Sequence, residues 1–420
     1  MLYFSIQISK LLCAIILILL AQVPAAQDRQ FEEQSIDFNL RLDPDNPTTG
    51  VFSARTADFG RLTFMEPRPA PFSNNSNLAE IYCVHDDSIK PVIYGEAERC
   101  DRIEWEVSFK NIDGRDVNVS EQKNLYSDSG WWALFEWDVI PRIKEDLNIN
   151  LCIHHSDRPP ETECRSLPGL NQAPLLLIWG KSVIEFQSSG RTFRVFADSG
   201  GQKILNEKTK ERLNKQYSYL SGLFPHGSIS NSMVDIAWVG IDEKWKAVGG
   251  ATGESAYISN YMVTENNTEM SLERLFWISG HETFHMISSF MYPLWISESL
   301  AHYYGYKSLA QYSQTLTTPI QEWDRKKDSF PNSNTGLYAA HSKVLNNETS
   351  YYVLFYDKGA AFWHELDKRI ENKGGSLDHY ISLLSVPEQE DGELNKEFTS
   401  EIISLIGKQE FEYLVSEYLE

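Results

Sequence analysis

The chain has 420 residues, of which 38 are basic and 59 are acidic, and its formal net charge at pH 7 is −21. Hydrophobic residues make up 42% of the sequence, which is enough to fill a large core and excludes a disordered chain. The negative charge argues against a nucleic acid or an anionic lipid surface as the natural partner.

The first segment has the pattern of a secretory signal peptide. Lys10 precedes an apolar run from Leu11 to Leu20, and small residues follow as far as Ala25 and Ala26. This pattern predicts a signal peptide over residues 1–25 and an exported chain, periplasmic or extracellular, with no stable membrane insertion after its removal. An uncleaved helical anchor is the alternative, although the run is shorter than the roughly 20 residues that span a bilayer.

The cysteines predict disulfides in the first half of the chain. Without Cys13, an even number remains, and all of these cysteines precede residue 165. In an exported protein, local pairing is the simplest of the three connectivities that four cysteines allow. The expected pairs are Cys83 with Cys100 and Cys152 with Cys164.

Residues 26–175 are predicted to form a β-rich N-terminal domain. Apolar and polar residues alternate from Ile103 to Lys110, which is the period of a half-buried strand. An aromatic cluster follows, which is either part of a core or a platform for binding sugars; it consists of Trp131, Trp132, Phe135 and Trp137.

The remaining residues, 176–420, have a mixed pattern that gives an α+β fold class for the whole chain. Apolar strands are predicted at Leu175–Trp179 and Thr192–Ala197, and a helix at Glu207–Leu223. From Ser271 onward helices dominate; they are predicted at 271–290, 293–310, 352–373 and 376–385, with two short ones within 394–420.

The chemistry is concentrated in the segment His281-Glu282-Thr283-Phe284-His285. Two histidines four residues apart lie on one face of a helix, so both imidazoles can bind one cation while Glu282 accepts a proton from water. A polar stripe on a surface helix is the alternative. The apolar residues around the motif favour a buried helix, whose charged groups need a partner such as a cation.

A third ligand is expected on the following helix. The positions at which metzincin peptidases carry a glycine and a third histidine hold Ser288 and Met291, which excludes that class. After Pro293 an antiparallel return of the next helix would place Glu298 near both histidines. Such a site leaves one coordination position open, which is typical of catalysis.

Several motifs in the same order resemble the gluzincin peptidases, particularly the glycyl aminopeptidase family and its relatives, the alanyl aminopeptidases and leukotriene hydrolases. The matching motifs are His281-Glu282-x-x-His285, Trp295-x-x-Glu298-x-x-Ala301-x-Tyr303-Tyr304 and Tyr356-Asp357-Lys358-Gly359. The resemblance covers residues 190–420. It implies a thermolysin-like, mainly helical zinc peptidase domain with a small sheet, following a β-rich domain.

The resemblance also implies a role for each matching residue. His281, His285 and Glu298 would bind Zn²⁺, Glu282 would be the general base, and Tyr356 would donate a hydrogen bond to the oxyanion of the reaction. His302, one helical turn after Glu298, is expected to hydrogen-bond near the site or to pack beside it rather than to bind the metal.

The sequence departs from the family in the segment that grips the substrate's amino group. Gly249 and Gly250 match, but the acidic residue, Glu254, is displaced. Either Glu254 reaches the amine or the site accepts internal peptide bonds. The segment Val248–Ile258 is either an edge strand that pairs with substrate or a glycine-rich hairpin. In addition, only 12 residues separate His285 from Glu298, and Ser299 replaces a glycine.

These observations predict a secreted or periplasmic zinc metallopeptidase that acts on peptides or proteins, with aminopeptidase specificity as one form of that activity. Two alternatives belong to other classes of protein. One is a catalytically inactive relative that binds peptides, and the other is a secreted glycan-binding protein.

Overall fold

The structure is a computed structural model that describes residues 34–43, 45–70, 78–86, 88–112, 117–154, 162–188, 190–224, 233–242, 248–263, 268–288, 292–310, 317–385 and 392–420. The predicted signal peptide lies outside these ranges. Within them, helices that combine the length and the apolar character needed to cross a bilayer are absent.

The first half consists of short β-strands. Their bounds are β1 Ser35–Leu42, β2 Thr49–Arg55, β3 Arg61–Met65, β4 Tyr82–His85, β5 Ser88–Pro91, β6 Ala97–Arg99, β7 Arg102–Ser108, β8 Lys110–Asn111, β9 Leu125–Ser127, β10 Trp131–Phe135, β11 Arg142–Ile143, β12 Asn148–His154 and β13 Thr162–Ser166. In β7 the residues Ile103, Trp105 and Val107 are buried, as the alternation predicted.

These strands, with one strand from the second half, build three sheets. The largest has seven strands in the order β13-β12-β1-β2-β7-β4-β5, and a small one has the order β11-β3-β6. The third has the order β14-β10-β9-β8, where β14 is Leu176–Gly180. Because β14 pairs with β10, the N-terminal sheets extend past the predicted domain boundary at residue 175.

Both disulfides of the local pairing are present. Cys83 is bonded to Cys100, and Cys152 is bonded to Cys164. The second bond joins residues that lie opposite each other on the neighbouring strands β12 and β13. These disulfides fit an exported protein.

The aromatic cluster belongs to the core rather than to a sugar-binding platform. Trp131 and Phe135 are 0% and 1% exposed. Trp132 stacks on Trp179 with ring centroids 6.1 Å apart, and its indole nitrogen donates to the carbonyl oxygen of Pro47. A sugar needs an open aromatic face, and this packing leaves no such face on Trp131 or Phe135.

A five-stranded sheet opens the second half. It has the order β15-β16-β17-β19-β18, with β15 Ile184–Ser188, β16 Arg191–Ala197, β17 Met233–Asp242, β18 Gly250–Thr252 and β19 Ala256–Val263. The strands β16, β17 and β19 run parallel, and β18 pairs antiparallel with β19 at the edge. The segment 248–258 is therefore a hairpin, and its first strand, β18, also lies at the edge of the sheet.

Helices follow or cover this sheet. Their bounds are α1 Ser199–Gln202, α2 Glu207–Leu223, α3 Thr268–Ile287, α4 Leu294–Leu309, α5 Pro319–Lys326, α6 Leu337–Leu345, α7 Val353–Glu371, α8 Lys396–Ile406 and α9 Lys408–Leu414. The long helices α2, α3, α4 and α7 agree with the prediction to within a few residues. The helices α5 and α6, which are short, and the buried strand β17 were not predicted.

One predicted helix, 376–385, is wrong. The segment forms two 3₁₀ turns, Leu377–His379 and Ile381–Leu384. The backbone nitrogen of Leu377 donates to the Asp367 carboxylate of α7, and i→i+3 hydrogen bonds, from Tyr380 to Leu377 and from Leu383 to Tyr380, stand in place of helical ones.

Candidate metal centre

The helices α3 and α4 bring three potential ligands together. His281 and His285 are four residues apart on α3, and their Nε2 atoms are 3.1 Å apart. Glu298 lies near the start of α4, and its Oε2 is 3.5 Å from Nε2 of His281 and 3.6 Å from Nε2 of His285. The three residues are thus the group expected from the sequence, and their ligand atoms all lie within 4.8 Å of one another.

The triangle formed by these three ligand atoms has the size expected around a tetrahedral dication. With bonds of about 2.0–2.1 Å, two ligand atoms on tetrahedral zinc are about 3.3 Å apart. The three observed separations, 3.1, 3.5 and 3.6 Å, bracket that value. Two imidazole nitrogens and one carboxylate oxygen are also a donor set that zinc accepts.

The charges at the centre favour cation binding. Burial lowers the pKa of His281 to about 4, so its imidazole is neutral and keeps a lone pair. Burial also opposes the charged form of His285, but Glu298 outweighs it and raises the pKa of His285. For Glu298 burial is in turn outweighed by His285 and His281, which hold the pKa of this carboxyl well below its usual range.

Glu282, the residue after His281, faces the edge strand β18, which forms one wall of the site. The hydroxyl of Thr252 donates to its carboxylate, and a Cβ added at Gly250 would lie 2.7 Å from Cδ of Glu282. Burial raises the pKa of Glu282 to about 7, although His285 and the Thr252 hydroxyl favour its charged form. Glu282 is therefore in a narrow slot and has the proton affinity of a general base.

Gly249 and Glu254, which belong to the same segment as Gly250, have other neighbours. Gly249 lies against Ser120 of the 3₁₀ turn Val119–Glu121, so the N-terminal half reaches this wall of the site. Glu254 belongs to the turn between β18 and β19, and its backbone nitrogen donates to the carbonyl oxygen of Pro174. The structure thus brings Gly250 to Glu282 and ties Glu254 to the connection between the two halves.

Tyr356 lies beside the ligand His281 and its neighbour His302. Its ring centroid is 5.9 Å from that of His281 and 5.3 Å from that of His302. Burial, reinforced by the charge of Glu298, raises the pKa of Tyr356, so the phenol keeps its proton. It is therefore available as a hydrogen-bond donor beside the ligands.

His302 is packed behind His281. It is 5% exposed and its ring meets the rings of Trp277, at 4.6 Å between centroids, and His281, at 5.8 Å. Its Nε2 is 3.7 Å from Oδ1 of Asp357. This position fits the packing role expected of it.

Two residues that the sequence did not single out contact the ligands. The hydroxyl of Tyr352 donates to Oε1 of Glu298 at 2.9 Å, and Oγ of Ser297 is 3.4 Å from Nδ1 of His285. The four-residue spacing between Tyr352 and Tyr356, one helical turn, could have indicated that both phenols lie on one face.

Ser299, which stands where the resembling family has a glycine, packs closely against α7. A Cβ added at Gly359 of α7 would overlap Cβ of Ser299, so the two helices are in close contact at this point. The indole nitrogen of Trp363 donates to Oγ of Ser299 at 2.7 Å. Ser299 thus joins α4 to the helix that carries Tyr356.

Comparisons with known proteins give a structural likeness. The chain matches no protein-family model and no curated protein sequence. It is similar to the crystal structure of an aminopeptidase N family protein from Idiomarina loihiensis, with a TM-score of 0.54 and 14% identity over 89% of this chain and 71% of that chain. At this identity the likeness concerns the fold, and it agrees with the α+β class predicted from the sequence.

Proposed function

We propose that the chain is a zinc metallopeptidase that hydrolyses peptide bonds with water, and that residues 176–420 form a thermolysin-like, gluzincin-type catalytic domain. The observation that carries the proposal is the convergence of His281, His285 and Glu298 on one point, with Glu282 beside it. The aminopeptidase-like fold of the structural neighbour supports it.

In this proposal His281, His285 and Glu298 hold the zinc ion. When bound, zinc supplies a Lewis acid that lowers the pKa of water to about 7 and polarises the carbonyl group of the peptide. Oγ of Ser297 can accept a hydrogen bond from Nδ1 of His285, which leaves the lone pair on Nε2 that a metal ion needs.

Glu282 acts as the general base. Its carboxylate accepts a proton from the attacking water and returns a proton to the leaving amine, for which a pKa near neutrality is well matched. Thr252 and the Gly250 backbone hold this carboxylate in place. Tyr356 donates a hydrogen bond to the carbonyl oxygen as that oxygen becomes negative.

The edge strand β18 provides the surface for the substrate backbone. An extended peptide can pair with Gly250–Thr252 by β-addition, next to Glu282. Glu254 at the end of this hairpin is the candidate for binding a free amino group. The substrate class is accordingly peptides or proteins, and the two disulfides support action outside the cytoplasm.

Replacing Glu282 by glutamine tests the proposal, because Gln keeps the shape but cannot accept the proton. We expect wild type and Glu282→Gln to bind one equivalent of zinc each and the variant to digest a peptide library about 10²–10⁴-fold more slowly. Glu269→Gln, on the first turn of the same helix, is the matched control and should behave as wild type.

Two outcomes of this experiment would contradict the proposal. Zinc-free wild type, or equal digestion by wild type and Glu282→Gln, would overturn the mechanism. Zinc-loaded wild type that binds peptides but cleaves none would point instead to an inactive peptide-binding protein.

A further inference from the structure

The two carboxylate oxygens of Glu298 have different neighbours. Oε2 faces both imidazoles at 3.5 and 3.6 Å. Oε1 points to the other side and accepts the hydroxyl of Tyr352 at 2.9 Å. One oxygen is therefore directed to the metal centre and the other is occupied by a phenol.

This division of roles needs a cause, because the last torsion angle of a glutamate side chain has a broad distribution. It has no sharply preferred angle that would keep one oxygen turned toward a ligand group. Without a partner for Oε1, the carboxylate could rotate or present both oxygens to the ion. The hydrogen bond from Tyr352 removes this freedom.

Tyr352 is itself held in place. It follows the 3₁₀ turn Thr349–Tyr351 directly, and its backbone nitrogen donates to the carbonyl oxygen of Thr349. Its ring contacts Phe355, at 5.3 Å between centroids, and Tyr356, at 5.6 Å. The phenol thus stands on a rigid helix start rather than on a loop.

The helix α4, which carries Glu298, is also packed tightly against α7, which begins directly after Tyr352. Gly359 of α7 is in close contact with Ser299 of α4, the residue after Glu298, and Trp363 donates to the Ser299 hydroxyl. The distance between Tyr352 and Glu298 is therefore fixed by helix packing as well as by the hydrogen bond.

We infer that Tyr352 is a positioning residue that holds Glu298 so that Oε2 alone binds the metal ion, and that it thereby controls how tightly the protein retains zinc. This inference rests on the proposed function. Tyr352 acts through Glu298, whereas Tyr356, one turn later, acts on the substrate. The two phenols also form a hydrogen bond with each other, so either substitution can lower turnover, and zinc affinity is the quantity that separates the two roles.

The test compares three single substitutions that each remove one hydroxyl group. In chelator competition, Tyr352→Phe should raise the zinc dissociation constant 10- to 100-fold, the usual effect of losing a partner of a metal ligand. Tyr356→Phe should keep the zinc affinity and lose turnover at saturating zinc. Tyr351→Phe is the matched control, since its ring lies over Lys343 away from the ligands, and it should change neither quantity.

A double-mutant cycle excludes a merely structural effect. If Tyr352 acts through Glu298, adding Tyr352→Phe to Glu298→Ala should change the residual zinc affinity less than two-fold. A general disturbance of the fold would lower the affinity in both backgrounds. A large effect in the Glu298→Ala background would therefore overturn the inference.

The failure of this inference differs from the failure of the proposed function. If wild type binds no zinc, the proposed function falls and the role of Tyr352 falls with it. If wild type binds zinc and Tyr352→Phe binds it equally well, only the role of Tyr352 is refuted.

Discussion

Gly250 controls the position of the general base through the side chain that it lacks. A Cβ at this position would lie 2.7 Å from Cδ of Glu282, and a real Cβ contact of this length does not occur. The carboxylate occupies the space that any other residue would fill. The glycine is thus required by a close approach rather than by its backbone angles.

Gly250→Ala should displace Glu282 and slow peptide cleavage at least about 10-fold, because misplaced catalytic groups lose rate steeply, while zinc content stays unchanged. Steady-state kinetics and metal analysis check both parts. Gly222→Ala on α2 is the control, since a Cβ there meets nothing within 4 Å. It should stabilise the protein by about 0.5–1 kcal/mol and leave activity unchanged. Wild-type turnover by Gly250→Ala would contradict the account.

Among individual residues, the sequence predicts contacts between positions that are close along the chain. His281, Glu282 and His285 share a helical face because of their spacing, and helix periodicity alone is enough to see it. The contact between Tyr352 and Glu298 spans 54 positions and depends on how two helices pack. It could not be read from local spacing, and Tyr356 was singled out only through the motif Tyr356-Asp357-Lys358-Gly359 that resembles the family.

At the scale of elements, a buried charge network fixes α4 against α7 and the 3₁₀ turn Leu377–His379. Nζ of Lys307 on α4 lies 2.6 Å from Oδ2 of Asp367 on α7 and 2.6 Å from Oδ1 of Asp378. Asp367 also accepts the hydroxyl of Tyr303 and the backbone nitrogen of Leu377. The helix that carries Glu298 is therefore anchored at its far end.

This network should make the protein sensitive to acid. Burial opposes ionisation of Asp367, but Lys307 and the hydrogen bonds outweigh it, so the pKa of Asp367 is lower in the folded than in the unfolded chain. Its stabilising contribution is complete above about pH 4, the unfolded pKa, and is lost as the pH falls through the folded pKa. Urea unfolding between pH 7 and pH 2 measures the decline.

Asp367→Asn supplies the control for this prediction. Removing one partner of a buried ion pair should lower the free energy of unfolding at pH 7 by about 3–5 kcal/mol. It should also flatten the acid decline below pH 4. An equally steep decline in the variant would show that other carboxylates cause it.

The elements that periodicity predicts are those with an amphipathic or alternating pattern. The helices α2 and α7 and the strand β7 belong to this group, whereas α3 and α4 are buried on most sides. The continuous apolar strand β17 has no period to detect, and α5 is too short to show one. The segment 376–385 was predicted as a helix with Ser376 as its cap. Ser376 does accept the backbone nitrogen of Asp378, but the segment continues as two 3₁₀ turns.

At the scale of the whole molecule, the two halves share a core. Trp131 of β10 meets Phe196 of β16, with ring centroids 6.4 Å apart. Between the halves, Nη2 of Arg194 on β16 lies 3.1 Å from Oε1 of Glu163 on β13. The change of residue pattern along the chain predicted the α+β class and the cysteine positions predicted the disulfide-bearing first half, but the sharing of a core depends on contacts distant in sequence.

The central claim is that two imidazoles and one carboxylate bind a single zinc ion, and X-ray absorption at the zinc edge of the purified protein tests it most directly. We expect one zinc per chain, with nitrogen and oxygen ligands at about 2.0–2.1 Å and the outer scattering of two imidazoles. His285→Ala should lose most of this zinc. Zinc-free protein, a sulfur ligand, or a spectrum without two imidazoles would contradict the account.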